Sequence, residues 1–210
     1  MYKIHTLNAI SNKGLERLPK DKYDIGAELN GADGILVRSA KMHDMDLPES
    51  LLAIGRAGAG VNNVPVDRMT DKGVVVFNAP GANANAVKEL VIAGLLLGAR
   101  NLLPAAGYVQ ELDPTKEDFM SAVEQGKKKF TGFELPGRRL AVLGLGAIGV
   151  GVANAARALG MEVVGFDPKV TVENAWRLHS GIERARSVEG ALEGADAVTV
   201  HVPLTENTQN

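Results

Sequence analysis

The chain has 210 residues, of which 45% are hydrophobic, a formal net charge of −2 and no cysteine. That is enough apolar material for one large packed domain or two small ones. It excludes thiolate catalysis, disulfides and cysteine-ligated zinc, and it leaves no basic field to attract nucleic acid.

From the start, Met1 to Leu7 has the pattern of a strand and lacks the long apolar run of a signal peptide. Gly34 to Val37, Ala53-Ile54 and Val74 to Phe77 are short apolar runs with β-branched residues and glycine-containing boundaries, which predict strands. Pro65 to Lys72 fits a short helix opened by proline and closed by Gly73. This alternation predicts a first βα lobe with a parallel sheet.

Asn83 to Leu103 predicts one long, mostly apolar helix ended by Pro104. A helix apolar nearly all round is either central or covered by another subunit, so a homodimer or higher homo-oligomer is expected. Its most apolar part, Leu90 to Ala99, is about ten residues, well short of the ~20 that span a bilayer. A cytoplasmic protein with no membrane partner is the expectation. Gln110 to Lys129 is polar and charged, and Lys127-Lys128-Lys129 predicts a solvated face.

The second half carries the most specific pattern. Arg139 to Leu143 reads as a buried strand and leads into Gly144-Leu145-Gly146-Ala147-Ile148-Gly149; a helical segment follows, Ala153 to Leu159, and then a second strand, Glu162 to Asp167. In such a unit Gly144 permits the tight turn, Gly146 lets the backbone approach a pyrophosphate on the helix N-terminus, and Gly149 allows close helix–strand packing. Asp167 would accept hydrogen bonds from an adenosine ribose diol and repel a 2′-phosphate, which favours NAD over NADP. Lys169 is the one nearby cation. The competing reading is an ordinary βαβ turn in a fold that holds another adenosine compound, such as a methyl donor. Further strands are predicted around Ile182 and at Ala197 to Val202, with a short helix at Ser187 to Leu192 between them.

Several motifs in order then carry a resemblance over essentially the whole chain. They are Leu36-Val37-Arg38-Ser39, Gly55 to Val64, Phe77-Asn78-Ala79-Pro80, Gly144 to Gly149, Asp167-Pro168 and His201-Val202-Pro203-Leu204. With them the chain resembles the D-isomer-specific 2-hydroxyacid dehydrogenases, most closely those acting on D-3-phosphoglycerate. The resemblance implies an α/β protein with a flavodoxin-like substrate lobe, residues 1–98, a Rossmann NAD-binding lobe, residues 99–210, incomplete at its C-terminus, and a cleft between them. It implies that the amides of Ala59 and Gly60 hold a substrate carboxylate, an anion nest of exposed N–H groups. Arg38, with Ser39 just past a strand end, would bind a substrate phosphate through its planar fork, and Asn83 matches another substrate-side residue. Ala147 and Ile148 would lie against the pyrophosphate and Asp167 on the ribose. His201, Val202 and Pro203 would lie beside the adenosine, and Ala79 near the nicotinamide. His201 is not read as catalytic, and no metal site is read.

The arginine, glutamate and histidine that carry hydride-transfer chemistry in that family have no match here and are expected beyond Asn210, as is the last segment of the substrate lobe. The 210 residues are therefore expected to be part of a longer enzyme, to show no turnover by themselves, and to be poorly soluble through a bared strand at Ala197 to Val202. The implied activity is NAD-dependent oxidation of D-3-phosphoglycerate to 3-phosphohydroxypyruvate, which feeds serine synthesis. The alternatives are a dehydrogenase of unphosphorylated acids such as glyoxylate, hydroxypyruvate or D-lactate, and a non-catalytic NAD-binding module.

Overall fold

The computed structural model describes residues 1–26, 28–203 and 208. They form two compact units, 1–83 and 84–210. The division falls earlier than the boundary expected at 98/99, because the helix that begins at Ala84 packs on the helix after the Gly144 turn and so goes with the second unit.

The first unit runs β1 (Tyr2–Leu7), α1 (Asn12–Leu15), β2 (Tyr23–Ile25), β3 (Gly34–Val37), β4 (Ala53–Arg56), α2 (Val66–Asp71) and β5 (Val75–Asn78). All strands are parallel, in the order β2-β1-β3-β4-β5, the flavodoxin-like order. Alternation along each strand fixes the two faces. On one face Ile35, Val37 and Ile54 are buried with Met42, Leu51 and Met69, which α2 and the 41–51 segment lay over the sheet. On the other, the register partners Leu36, Gly55 and Phe77 floor an apolar groove of about 260 Å³, and Phe77 is 62% exposed.

The second unit opens with α3 (Ala84–Ala99), α4 (Leu102–Glu111) and α5 (Phe119–Lys127), then a 3-10 turn at Lys128–Phe130. It continues with β6 (Arg139–Leu143), α6 (Ala147–Ala158), β7 (Glu162–Phe166), α7 (Val172–Trp176), β8 (Glu183–Arg184), α8 (Val188–Leu192) and β9 (Ala197–Val200). Its parallel sheet has the order β8-β7-β6-β9, the 3-2-1-4 part of a Rossmann sheet. Leu140, Ala141 and Val142 of the central strand β6 are fully buried. Leu140 and Val142 pack with Val152, Ala153 and Ala156 of α6, and Ala141 faces the α8 side with Ala191. Among the described residues β9 is an edge strand, with Val198 and Val200 exposed.

The single long helix expected over 83–103 is two helices bent by 62°. Asn101 sits at the bend in the left-handed region, φ 50°, which asparagine tolerates, and its amide donates to the Thr131 carbonyl at 3.1 Å. The 131–133 segment presses against this corner. The Phe133 amide donates to the Ala99 carbonyl at 2.9 Å, and a Cβ on Gly132 would lie 2.1 Å from that oxygen. Pro104 does not end a helix. It lies in the first turn of α4, where the missing N–H has no intrahelical acceptor to lose. Among the described residues no single helix is long and apolar enough to cross a membrane, although α3 and α4 taken together pass that test on length and composition.

Within the segment 110–129 expected to be merely polar, α5 docks on α4. The Tyr108 hydroxyl donates to the Ala122 carbonyl at 2.8 Å, and Gly126 sits beneath the ring. Lys127 pairs with Glu124, and Lys129 lies 5.3 Å from the Tyr108 ring centroid, so the lysine triplet is a solvated face with one cation–π contact.

Candidate dinucleotide and anion sites

In the second unit three strand ends meet at Gly144. Its amide donates to the Phe166 carbonyl at 2.8 Å, at the end of β7, and the His201 amide, just past β9, donates to the Leu143 carbonyl at 2.7 Å. Gly144 has φ +92°, and a Cβ there would come within 2.7 Å of the His201 carbonyl oxygen. Gly149, in the first turn of α6, allows the helix to close on this turn, since its Cβ would lie 1.9 Å from the Gly144 carbonyl oxygen. Both positions are therefore closed to any side chain.

Gly146 is different. It is the N-cap of α6, no side chain caps the helix, and a Cβ on Gly146 would meet nothing within 4 Å. Among the described residues the amides of Ala147 and Ile148 have no protein acceptor. Open space stands in front of a helix N-terminus with free N–H groups, at the point where the strand order reverses between β6 and β9. Such a cradle suits a pyrophosphate.

Asp167 follows β7 directly. One carboxylate oxygen accepts from the Leu145 amide and the other from the Lys169 amide, both at 2.8 Å. The side chain is thereby fixed beside the glycine turn, and each oxygen keeps a lone pair for a hydroxyl donor. On the other side of Gly144, the His201 ring nitrogen Nε2 lies 2.9 Å from the Thr199 hydroxyl, and burial lowers the pKa of this imidazole from its ordinary 6.5. Val202 lies against Gly144, and Pro203 is exposed beyond it. The residues present fit a dinucleotide with an unphosphorylated adenosine ribose.

The first unit brings a second set together at the carboxyl edge of its sheet. Arg38 and Ser39 follow β3, Ala57 to Gly60 follow β4, and Ala79 follows β5. The Arg38 loop is clamped from both sides. Asn8, itself left-handed at φ 68°, accepts from the Ser39 and Ala40 amides at 3.0 and 2.6 Å, while the buried Asn63 donates to the Ala40 carbonyl at 2.9 Å. The glycine loop is held by its carbonyls: Gly58 accepts from the Ala79 amide at 2.9 Å and Ala59 from the Asn78 side chain at 2.7 Å. The amides of Ala59 and Gly60 are left exposed, without a protein acceptor among the described residues. Asn83 is exposed at the end of this unit, four residues after Ala79.

Sequence reasoning missed Arg56. Its guanidinium packs against Gly58, where a Cβ would strike it, and its Nε is buried without a partner. An arginine that ends a strand directly before a glycine-rich loop was the available signal. The part that Asn8 and Asn63 play in holding the Arg38 loop could not be read from the sequence, because their partners are more than twenty residues away.

A family model described as "D-isomer specific 2-hydroxyacid dehydrogenase, NAD binding domain" matches residues 95–210, more than half of the chain. The chain belongs to the D-isomer-specific 2-hydroxyacid dehydrogenase family. Its second unit is that family's NAD-binding domain, and NAD is the cofactor. Curated relatives include the D-3-phosphoglycerate dehydrogenases of Methanocaldococcus jannaschii, 36% identical over 90% of the chain and 34% of that protein, and of Bacillus subtilis, 35% identical over 100% and 39%. The chain thus spans little more than a third of the length of these relatives. Among solved structures, an NAD+-bound 3-phosphoglycerate dehydrogenase of Entamoeba histolytica superposes with a TM-score of 0.69 at 25% identity, covering 99% of this chain and 64% of that one. The two-sheet α/β architecture is that of the family.

Two outcomes are expected at the dinucleotide turn. Asp167→Ser should weaken NADH binding and narrow the preference over NADPH, because it removes the charge that opposes a 2′-phosphate; parallel loss of both affinities in fluorescence titrations would contradict this. For His201, the lowered folded-state pKa means that the unfolded chain binds the proton more readily. Stability should therefore be present above pH 6.5 and decline as pH falls toward the lower folded-state value. Urea midpoints between pH 7.5 and 5 should show this decline in the parent and a flatter profile in His201→Gln.

Proposed function

We propose that the protein serves NAD-dependent oxidation of D-3-phosphoglycerate to 3-phosphohydroxypyruvate, a reaction that supplies serine synthesis. The observation that carries this reading is the pairing of two different anion-binding devices on adjacent strand ends. The free amides of Ala59 and Gly60 follow β4, and the exposed guanidinium of Arg38 follows β3. Val37 and Arg56 are register partners, so the two devices begin about 5 Å apart across the sheet. A substrate with one carboxylate and one phosphate uses both. A simple 2-hydroxyacid has no group for Arg38.

In this reading the Ala59 and Gly60 amides orient the carboxylate, a planar acceptor that two N–H groups can hold without a side chain. Arg38 supplies the charge that a phosphate needs. The amides of Ala147 and Ile148 and the fixed carboxylate of Asp167 hold the cofactor, which when bound supplies the hydride acceptor. Relatives at 33% to 37% identity that carry the name D-3-phosphoglycerate dehydrogenase support the substrate.

The test compares binding of D-3-phosphoglycerate and D-glycerate to the NADH-loaded protein. Arg38→Ala should weaken the phosphorylated acid by roughly 10- to 100-fold, the worth of about 1.5–3 kcal/mol for a hydrogen bond to a charged group. D-Glycerate binding should change little. Equal small effects on both would favour an unphosphorylated 2-hydroxyacid as substrate.

We further propose that the protein is a homodimer through α3 and α4. Ala86, Leu90, Ala93, Gly94 and Leu97 form one exposed stripe on α3, with Leu90 73% exposed, and Leu103 and Val109 continue the apolar surface on α4 at 68% and 61%. Leu90→Arg should shift the sedimentation coefficient to that of a monomer without loss of the folded circular dichroism spectrum. An unchanged dimer, or a monomeric parent at high concentration, would remove the assignment.

A further inference from the structure

The NAD-binding domain has a second concavity, at the opposite end of α6 from the glycine turn. It is open, about 610 Å³, and lined by Asn154, Arg157, Ala158, Arg177, Leu178 and His179. Gly146 and Arg157 are separated by eleven residues of helix, roughly 16 Å at 1.5 Å per residue, so this is not an extension of the dinucleotide cradle.

The concavity has a built frame. The Asn154 side chain donates to the Arg177 carbonyl at 2.7 Å and accepts from the His179 amide at 2.9 Å, which pins the segment after α7 against α6. The Gly181 amide donates to His179 Nδ1 at 3.0 Å, so the neutral ring carries its proton on Nε2, free to donate. Arg157 and His179 come from separate elements and flank one point. A Cβ on Gly181 would be 3.0 Å from Arg157 Nε, 3.3 Å from its Nη2 and 3.2 Å from His179 Nδ1.

The charge at this point is unbalanced. No carboxylate lines the concavity, and among the described residues neither Arg157 nor Arg177 is in an ion pair. Of the five N–H groups of Arg157, one donates, at 3.3 Å, to the Met161 carbonyl, and Nε is sealed from water with no acceptor. The Arg177 side chain makes no hydrogen bond among the described residues. Arg157, Arg177 and His179 thus line one open space, and most donors of the two guanidinium groups make no hydrogen bond among the described residues.

We propose that this concavity binds a small phosphate-bearing anion, as a second ligand site on the NAD-binding domain. Guanidinium forks match the tetrahedral oxygens of a phosphate, and paired arginines favour a multiply charged one over a monocarboxylate. The ligand class is a phosphate ester or pyrophosphate compound other than the dinucleotide.

The protein contains its own reporter. Trp176 is the sole tryptophan, 84% exposed, and directly precedes Arg177. Inorganic pyrophosphate, titrated at constant ionic strength, should change Trp176 emission saturably with a midpoint below about 1 mM. Isothermal calorimetry should give the same midpoint. The double variant Arg177→Gln/His179→Gln should weaken calorimetric binding roughly tenfold or more, since it removes two of the three donors. NADH affinity should not change, which separates this site from the cradle at Gly146. A linear response without saturation, an unchanged midpoint in the double variant, or tighter binding of citrate than of pyrophosphate would each overturn the proposal.

Discussion

The NAD-binding domain turns on the space around the Cα of Gly144. Two oxygens crowd the glycine turn there: the His201 carbonyl, where a Gly144 side chain would begin, and the Gly144 carbonyl, where a Gly149 side chain would begin. Because both glycines give way, β6, β7 and β9 end side by side and α6 starts directly above them. The free helix N-terminus, the acidic residue after β7 and the segment after β9 are consequences of that single close approach. A methyl group at either position would separate the helix from the sheet and dismantle all three together.

The first unit reaches a similar end by other means. At its sheet edge two asparagines, one after β1 and one before α2, grip the loop after β3. The loop after β4 is held only by its carbonyls, so its amides stay free. A polypeptide normally satisfies nearly all of its own N–H groups. Leaving adjacent ones open beside a loop held by its carbonyls is what the proposed anion nest rests on.

Much of this was legible in the sequence because it is encoded locally. The strands β3, β4, β6 and β7 are apolar runs bounded by glycine or charge, and the glycine turn between β6 and α6 with Asp167 after β7 is a short-range pattern. What stayed hidden depends on distant partners. The bend at Asn101 exists because residues 131–133 press on Ala99, and an apolar period alone reads straight through it. Pro104 looked like a terminator because proline ends helices more visibly than it starts them, and only the bend converts its position into a first turn. The helix α5 escaped notice because its inward stripe, Phe119, Ala122, Val123 and Gly126, is short and set among charged residues, and its docking under Tyr108 depends on a partner outside the segment.

Asp167 has one more implication, for how cofactor choice could change over evolution. Its two oxygens anchor the turn and the segment after β7 through Leu145 and Lys169 before any ligand arrives. The same carboxylate is thus a structural tie and, in the proposed reading, a selector, so an exchange that relaxed selection would also loosen the loop that does the selecting. A lineage moving toward the phosphorylated dinucleotide would need a replacement acceptor for those amides as well as a new cation. That double requirement makes the present preference hard to lose in small steps.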